Sequence, residues 1–314
     1  MYHSLDMSTN SDGTVVCIGT FDGVHVGHQA ILSRVREVAG ARGLASIAYA
    51  FDAPPRWTQA GEPDRTLLLP RATKRALLQA YVDRVIPVAL ADVRHIEPAA
   101  FAEAILVEQL QARVVVVGEG FRFGRDRGGT VEDLERHGSR LGFETVAVAR
   151  VEADGALVSS TRIRSLVVDG RVREAAPLLG RPPLLVGIVE AGDRLGRSLG
   201  YPTANLEIDP HELLPGAGIY VIHAFCKGSR HEGLLYIGDR PTIGGGSLRC
   251  EVHLLTPGPI DLYGVDMEVH LLKRLREDRA FDSLDALRAQ IELDIVAARE
   301  HLLAYGEQTT RFSG

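Results

Sequence analysis

The first half of the chain alternates short apolar segments with stretches of helical periodicity, and this alternation restricts the fold more than any other feature. Helices are predicted at residues 28–41, 71–81 and 99–111. Strand–helix alternation predicts an α/β domain with a parallel sheet and helices on both faces. Such sheets bind ligands beyond the carboxyl ends of their strands. The sequence therefore predicts a site in the turns that follow Ile18, Ala50 and Val117.

From about Leu184 the sequence changes to short β-type segments separated by Gly and Pro. This spacing predicts a compact antiparallel β-barrel or sandwich. A single long C-terminal helix follows, with an apolar stripe that is expected to pack on the barrel. The stripe consists of Leu284, Leu287, Ile291, Ile295, Ala298 and Leu302. Because glycine commonly ends helices, this helix is predicted to stop at Gly306.

The two halves meet near Pro182 and Pro183, which disfavour helix and favour an extended linker. The chain of 314 residues is also longer than one typical domain. We therefore predict two domains, residues 1–180 and residues 181–314.

Composition and charge argue against several classes of protein. A formal net charge of -6 without a Lys/Arg stripe argues against a nucleic-acid partner. The polar N-terminus lacks the features of a signal peptide, and no apolar run is long enough for a membrane helix. Three cysteines without C-x-x-C spacing argue against a disulfide framework or a zinc cluster. We expect a cytoplasmic protein with no nucleic-acid or membrane partner, and the sequence leaves a homo-oligomer open.

The segment Gly19–His28 follows the first predicted strand and leads into a helix. Its two histidines, His25 and His28, lie three residues apart and share one face at the positive end of that helix. Two imidazoles beside backbone N–H groups suit the α-phosphate of a nucleotide as pyrophosphate leaves, and glycines let the nucleotide approach the backbone. Surface histidines and metal ligands also show this spacing, so the short motif alone does not decide.

The whole segment resembles the nucleotidyltransferase signature of bacterial FMN adenylyltransferases, the N-terminal module of bifunctional riboflavin kinase/FAD synthetases. Ser159–Arg164 matches that family's second nucleotide motif, although alone it would fit a helix cap with solvated arginines. The resemblance implies that His25 and His28 are catalytic. It implies nucleotide-binding roles for Gly19, Phe21, Asp22, Gly23, Ser160, Thr161 and Arg164.

The segment Gly192–Asn205 is rich in glycine and ends in polar residues. No Lys-Ser/Thr pair follows its glycines, which excludes a P-loop kinase. A Gly-rich flap can close its N–H groups over phosphates, while the Thr203 hydroxyl and the Asn205 amide oxygen are suitable ligands for Mg²⁺. Taken alone, the segment also fits a mobile loop with a turn at Pro202.

This segment closely resembles the G-R-x-L-G-[FY]-P-T-A-N motif of riboflavin kinases, and further matches follow in order as far as Leu275–Glu277. The resemblance implies phosphorylation of riboflavin to FMN with ATP. It implies that Thr203 and Asn205 hold Mg²⁺ and that Glu251 is the general base for the ribityl 5′-hydroxyl. Nucleotide-binding roles are implied for Gly196, Arg197 and Gly200, and a flavin-binding role for Arg276. His253 is expected to be structural.

Two departures from the family pattern fall in predicted ligand turns. Gly120 stands where the family usually has Asn, and Ala53–Pro55 stands where it has a His-Pro pair. The leading interpretation is a bifunctional enzyme that phosphorylates riboflavin and adenylylates FMN. The departures leave open a monofunctional kinase whose first half is degenerate, regulatory or specific for another acceptor, with weak or absent adenylylation. A non-catalytic flavin-binding scaffold is a third reading, against which Thr203, Asn205 and Glu251 argue.

Overall fold

The chain forms two compact units. The structure is a computed structural model that describes residues 13–52, 67–190, 200–239, 248–256 and 261–311. Unit 1 consists of Met1–Pro63 and Arg71–Ser160, and unit 2 consists of Asp64–Pro70 and Thr161–Gly314. The functional boundary near residue 180 stays a prediction. Within the described ranges, none of the helices has the length and apolar character needed to cross a membrane.

Unit 1 is built on a parallel sheet of five strands, which confirms the predicted α/β class. The strands are β1 (Thr14–Gly19), β2 (Ala45–Phe51), β3 (Arg84–Val88), β4 (Ala112–Gly118) and β5 (Glu144–Val148). Their order in the sheet is β3-β2-β1-β4-β5. The chain therefore builds outward in opposite directions from β1, and the crevice between the carboxyl ends of β1 and β4 is the switch point where such sheets bind ligands.

The helices of unit 1 begin and end at residues suited to those positions. They are α1 (Val26–Arg42), α2 (Arg71–Gln79), α3 (Leu90–Val93), α4 (Pro98–Ala100), which continues as the π-helix Phe101–Gln109, and α5 (Val131–Leu141). Thr130 and Asp133 form a capping box at the start of α5. Gly43 and Gly142, both with positive φ, end α1 and α5. The three predicted helices correspond to α1, to α2, and to α4 with its π-helical continuation.

Side chains from the sheet and from its helices form one buried apolar cluster in unit 1. The cluster includes Val16, Ile18, Tyr49, Phe101, Leu106, Val115 and Leu134. Burial of each large aliphatic or aromatic side chain contributes about 1.5–3 kcal/mol to stability. The cluster contains residues of β1, β2 and β4, and the carboxyl-edge turns follow these strands.

Unit 2 contains a closed antiparallel barrel. Between β5 and the barrel the chain forms four short elements. The strands β6 (Glu152–Ala153) and β7 (Ala156–Leu157) still belong to unit 1, and the helices α6 (Ser160–Val168) and α7 (Val172–Leu179) follow them. The barrel strands are β8 (Leu184–Glu190), β9 (Ala204–Ile208), β10 (Gly218–Cys226), β11 (Ser229–Asp239), β12 (Leu248–Leu254) and β13 (Asp266–Glu277). They pair in the closed order β10-β11-β12-β9-β8-β13. The structure thus decides for the barrel over the sandwich, and closure removes the exposed strand edges.

A short piece of the first half of the sequence belongs to unit 2. The Leu67 N–H donates to the His211 carbonyl at 2.9 Å, and the Leu213 N–H donates to the Leu67 carbonyl at 2.8 Å. Between them, a carboxylate oxygen of the buried Glu212 accepts the Val186 N–H at 3.1 Å. This long-range pairing has no signal in local sequence periodicity.

Helix α8 (Leu284–Arg311) packs on the outside of the barrel. The Ile295, Ala298 and Leu302 part of the predicted stripe joins a cluster with barrel residues. The barrel side of this cluster consists of Val221, Leu234 and Leu272. The prediction of one amphipathic helix against the barrel is confirmed.

Two details predicted for this helix are wrong. The Leu284 side chain is 59% exposed, because the packing of α8 on the barrel core involves residues from Ile295 onward. The helix also continues through Gly306 to Arg311. An internal glycine costs a helix only about 1 kcal/mol relative to alanine, which does not stop a helix already held by preceding turns.

An ion pair between Arg276 of β13 and Asp294 of α8 ties the helix to the barrel. The Arg276 Nε donates to the two Asp294 carboxylate oxygens at 3.0 and 3.1 Å, and Nη2 donates to Oδ2 at 2.9 Å. Gln290 adds a hydrogen bond to Asp294 Oδ1 at 2.8 Å. Because both charges are largely buried, the loss of either partner would leave an uncompensated charge.

Asp294→Ala is therefore expected to destabilise unit 2 by about 3 kcal/mol, since Arg276 keeps its buried charge without a counterion. Calorimetric unfolding of the full chain measures the change. Glu300→Ala, at an exposed position in the interior of the same helix, is the matched control and should change stability by less than about 0.5 kcal/mol. Equal effects of the two substitutions would contradict a stabilising role for the ion pair.

Candidate functional site

The turn after β1 carries the first motif in a strained, buried conformation. Phe21 adopts left-handed backbone angles with φ 50°, and Val24 has φ 41°. Such angles cost a non-glycine residue about 1–3 kcal/mol and are common at functional sites. Gly19 is needed for close approach, because a Cβ there would lie 3.3 Å from the Phe21 ring. The turn lies at the predicted carboxyl edge of the sheet.

His25 and His28 are brought together at the start of α1, as the sequence predicted. Their rings stack with centroids 3.6 Å apart, and the Phe21 ring meets His28 edge-on at 5.4 Å. His25 is the N-cap residue, and its Nδ1 accepts the His28 backbone N–H at 3.3 Å. The pair lies at the positive end of a helix of 17 residues.

The pKa of His28 is held well below its usual value. Burial is the largest cause, followed by the neighbouring His25 and by the cation of Lys74. The ring is therefore neutral near pH 7, and its Nδ1 is buried without a hydrogen-bond partner among the described residues. An anion beside this ring would favour its protonated form.

Lys74, on α2, is a buried residue of this site that sequence reading missed. Its Nζ donates to the Thr20 carbonyl at 3.1 Å and to the Phe51 carbonyl at 2.7 Å. Thr20 directly follows β1, and Phe51 is the last residue of β2. Burial lowers the pKa of Lys74, while Asp22 and Asp52 oppose that shift. Its burial could have been predicted from the sequence, because Lys74 lies four residues before the apolar Leu78 and therefore on the same, buried face of the helix.

The second nucleotide motif reaches the first turn through Ser160. The Ser160 hydroxyl donates to the Asp22 carbonyl at 2.9 Å. Thr161 and Arg164 follow on α6 in the part of the chain assigned to unit 2. Of the two departures, Ala53–Pro55 lies outside the described residues, and Gly120 lies in the turn after β4.

The second candidate site lies on the barrel, where antiparallel pairing joins β9 to β12. Glu251 is the cross-strand partner of Asn205. The Thr203 hydroxyl donates to Glu251 Oε2 at 3.2 Å, and Arg249 forms an ion pair with Oε1 at 3.2 Å. Three residues that sequence reading chose from two distant segments thus meet in one place.

Several neighbours define this second site further. A His253 ring N–H donates to the Pro202 carbonyl, with Nδ1 and oxygen 2.9 Å apart, so the ring holds the segment before Thr203. Tyr236 is the other cross-strand neighbour of Glu251, and its hydroxyl donates to Asp278 at 3.1 Å. Burial, then Asp278, raises the pKa of Tyr236 to about 12. The Tyr236–Asp278 contact was not anticipated.

The remaining predicted residues have different outcomes. Gly196 and Arg197 lie outside the described residues, whereas Gly200 is described and has φ 90°. Arg276 uses its guanidinium on Asp294 and on the Glu277 carbonyl, so its flavin-binding role stays a prediction.

The residues beside Glu251 suit a magnesium ion held mainly by phosphates. Among the described residues there is no group of three or more His, Cys, Asp or Glu side chains able to hold a metal. Mg²⁺ in nucleotide sites commonly takes one or two protein oxygens and completes its shell with phosphates and water. The Thr203 hydroxyl can give its proton to Glu251 while its lone pair faces a cation. Thr203 and Asn205 therefore fit the ion by chemistry.

Comparison with known proteins assigns a family to each half of the chain. A family model described as FAD synthetase matches residues 7–162, and one described as riboflavin kinase matches residues 179–302. The fold and sites thus define a two-domain transferase of flavin metabolism. A bifunctional riboflavin kinase/FMN adenylyltransferase of Pseudomonas fluorescens is 39% identical over 291 residues, 91% of this chain and 92% of the relative. Its counterpart in Escherichia coli K12 is 36% identical over 303 residues, 95% of each chain.

The chain belongs to the bifunctional riboflavin kinase/FMN adenylyltransferase family. A crystal structure described as a macrolide-efflux protein from Streptococcus pneumoniae has the same fold, with a TM-score of 0.84 and 30% identity over 93% of this chain and 95% of that one. The family confirms the leading interpretation from the sequence, and the monofunctional alternative finds no support.

Lys74→Met is expected to raise the pKa of His28, because it removes a cation that opposes protonation of the ring. Titration of the histidine Cε1–H signals by NMR measures this change. Arg75→Met removes the same charge from an exposed position of α2 and is the matched control. An unchanged His28 titration in the Lys74 variant would show that burial and His25 alone set the low pKa.

Proposed function

We propose that this chain makes FAD from riboflavin in two steps. The barrel of unit 2 phosphorylates riboflavin to FMN with Mg-ATP, and unit 1 transfers the adenylyl group of a second ATP to FMN. The observation that carries the proposal is the meeting of Thr203, Asn205 and Glu251 across paired strands. The stacked histidines at the start of α1 support the second step.

In the kinase step, Glu251 accepts the proton of the ribityl 5′-hydroxyl as that oxygen attacks the γ-phosphorus and ADP leaves. Thr203 and Arg249 bond to its two oxygens and hold the carboxylate in one orientation. Thr203 and Asn205 would hold Mg²⁺, which would neutralise negative charge on the phosphates of ATP. Gly196, Arg197 and Gly200 are proposed to cover the phosphates, and Arg276 to border the flavin.

In the adenylyl step, a phosphate oxygen of FMN attacks the α-phosphorus of ATP and pyrophosphate leaves. His25 and His28 stabilise the charge that develops there, together with the positive end of α1. Because the triphosphate is anionic, its binding raises the pKa of the neutral His28 and favours a charged donor. Nucleotide-binding roles are proposed for Gly19, Phe21, Asp22, Gly23, Ser160, Thr161 and Arg164.

We infer a cytoplasmic location for this chemistry. Cys17, Cys226 and Cys250 are buried and stay in the reduced thiol form, the state expected in a reducing compartment. Riboflavin, FMN and ATP are the proposed small-molecule partners.

Incubation of the chain with riboflavin and Mg-ATP is expected to give FMN first and FAD later, because one site consumes the product of the other. Chromatographic separation of the flavins at successive times measures both products. Supplying FMN in place of riboflavin tests the second step alone. Accumulation of FMN without any FAD, from either flavin, would contradict the adenylyl step.

Glu251→Gln is expected to lower kcat for FMN formation by about 10²- to 10⁴-fold, because the amide cannot accept the proton. FAD formation from supplied FMN, the activity of unit 1, should be unchanged, and an unchanged thermal unfolding curve of the full chain would show that the barrel remains folded. Glu232→Gln, at an exposed position of the neighbouring strand β11, is the matched control. Kinase activity within a few-fold of the unmodified chain would exclude Glu251 as the general base.

A further inference from the structure

Gly120 and Arg150 lie side by side beyond the carboxyl ends of β4 and β5. Parallel pairing aligns Gly118 with Val148, the last residues of these strands. The Glu119 N–H continues the ladder by donating to the Val148 carbonyl at 3.0 Å. Each strand therefore places a residue two positions further on, Gly120 and Arg150, at the same edge.

The Arg150 guanidinium occupies the space that a side chain at position 120 would need. A Cβ built on Gly120 would lie 3.0 Å from Arg150 Cζ and 3.1 Å from its Nε. Arg150 itself has no ion pair or hydrogen bond to any described residue. An arginine packed on a glycine backbone with its donors unused can bind an anion from solution.

The surroundings of this arginine suit the acceptor side of the adenylyl site. Strand β4 is the neighbour of β1, so the turn that carries Gly120 lies across the switch point from the turn that leads to His25. Ile31 of α1 contacts the β4 end, since a Cβ on Gly118 would lie 3.5 Å from its Cδ1. An acceptor in this crevice would meet the histidine turn on one side and the Arg150 guanidinium on the other.

We propose that Arg150 binds the phosphate of FMN and orients it for attack, in place of the side chain that Gly120 lacks. The inference rests on the adenylyl step proposed above. The phosphate monoester of FMN is largely a dianion at pH 7, and a guanidinium fork matches two of its oxygens. The cation comes from the segment that follows β5, whereas the family pattern uses a neutral amide from the turn after β4. Position 120 must therefore stay small.

Arg150→Ala is expected to raise KM for FMN in FAD formation by about 10- to 100-fold, the loss expected for hydrogen bonds to a charged group. KM for ATP and the rate of FMN formation from riboflavin should stay within about twofold. Arg150→Lys keeps the charge but not the fork, so its KM should be intermediate. Arg140→Ala, which removes an exposed arginine from α5, should change nothing.

A double variant separates binding of the acceptor from general damage to the turn. With the guanidinium gone, Gly120→Asn has room at position 120, and Gly120→Asn with Arg150→Ala should recover part of the lost affinity for FMN. If the unmodified chain makes FAD and Arg150→Ala leaves KM for FMN unchanged, the proposed role of Arg150 is wrong but the adenylyl step stands. Absence of FAD formation by the unmodified chain would overturn the adenylyl step and this inference with it.

Discussion

The buried ammonium of Lys74 is the interaction on which the geometry of the first site depends. It bonds to the carbonyls of Thr20, just after β1, and of Phe51, the last residue of β2, and so links these two strands beyond their last paired residues, Gly19 and Ala50. Burial of a lone cation is costly, and here two carbonyls and the nearby Asp22 and Asp52 compensate for it. The same cation acts on His28. One side chain thus supports a strained turn and adds to the effects of burial and of His25 that keep the pKa of the neighbouring His28 low.

The barrel achieves its site by a different means, namely the register of antiparallel strands. Glu251 and Asn205 are separated by 46 positions in the sequence but are directly opposed across β12 and β9. A shift of one residue in either strand would turn one of the two side chains to the other face. The closed strand order fixes this register from both sides. The geometry of this candidate site follows from the same hydrogen bonds that close the barrel.

Helices, strands and the two-part organisation were predictable because they depend on local periodicity. The strand–helix alternation predicted the parallel sheet, and the Gly-rich motifs predicted which turns carry polar groups. Errors arose where tertiary packing replaced local preference, as at the exposed Leu284 and at Gly306 inside α8. Arg276 shows the same limit, because a motif position gives the residue type but not its partner, Asp294.

The sequence by itself determined the fold class, the family and the chemical groups available to each site, because these follow from residue order and motif spacing. Tertiary structure alone decided which of those groups meet. Lys74 carries no motif, and its effect exists only because α2 packs against the ends of β1 and β2. Arg150 lies beside Gly120 because two parallel strands end at the same level. Such contacts join residues far apart in the chain, and local sequence patterns do not predict them.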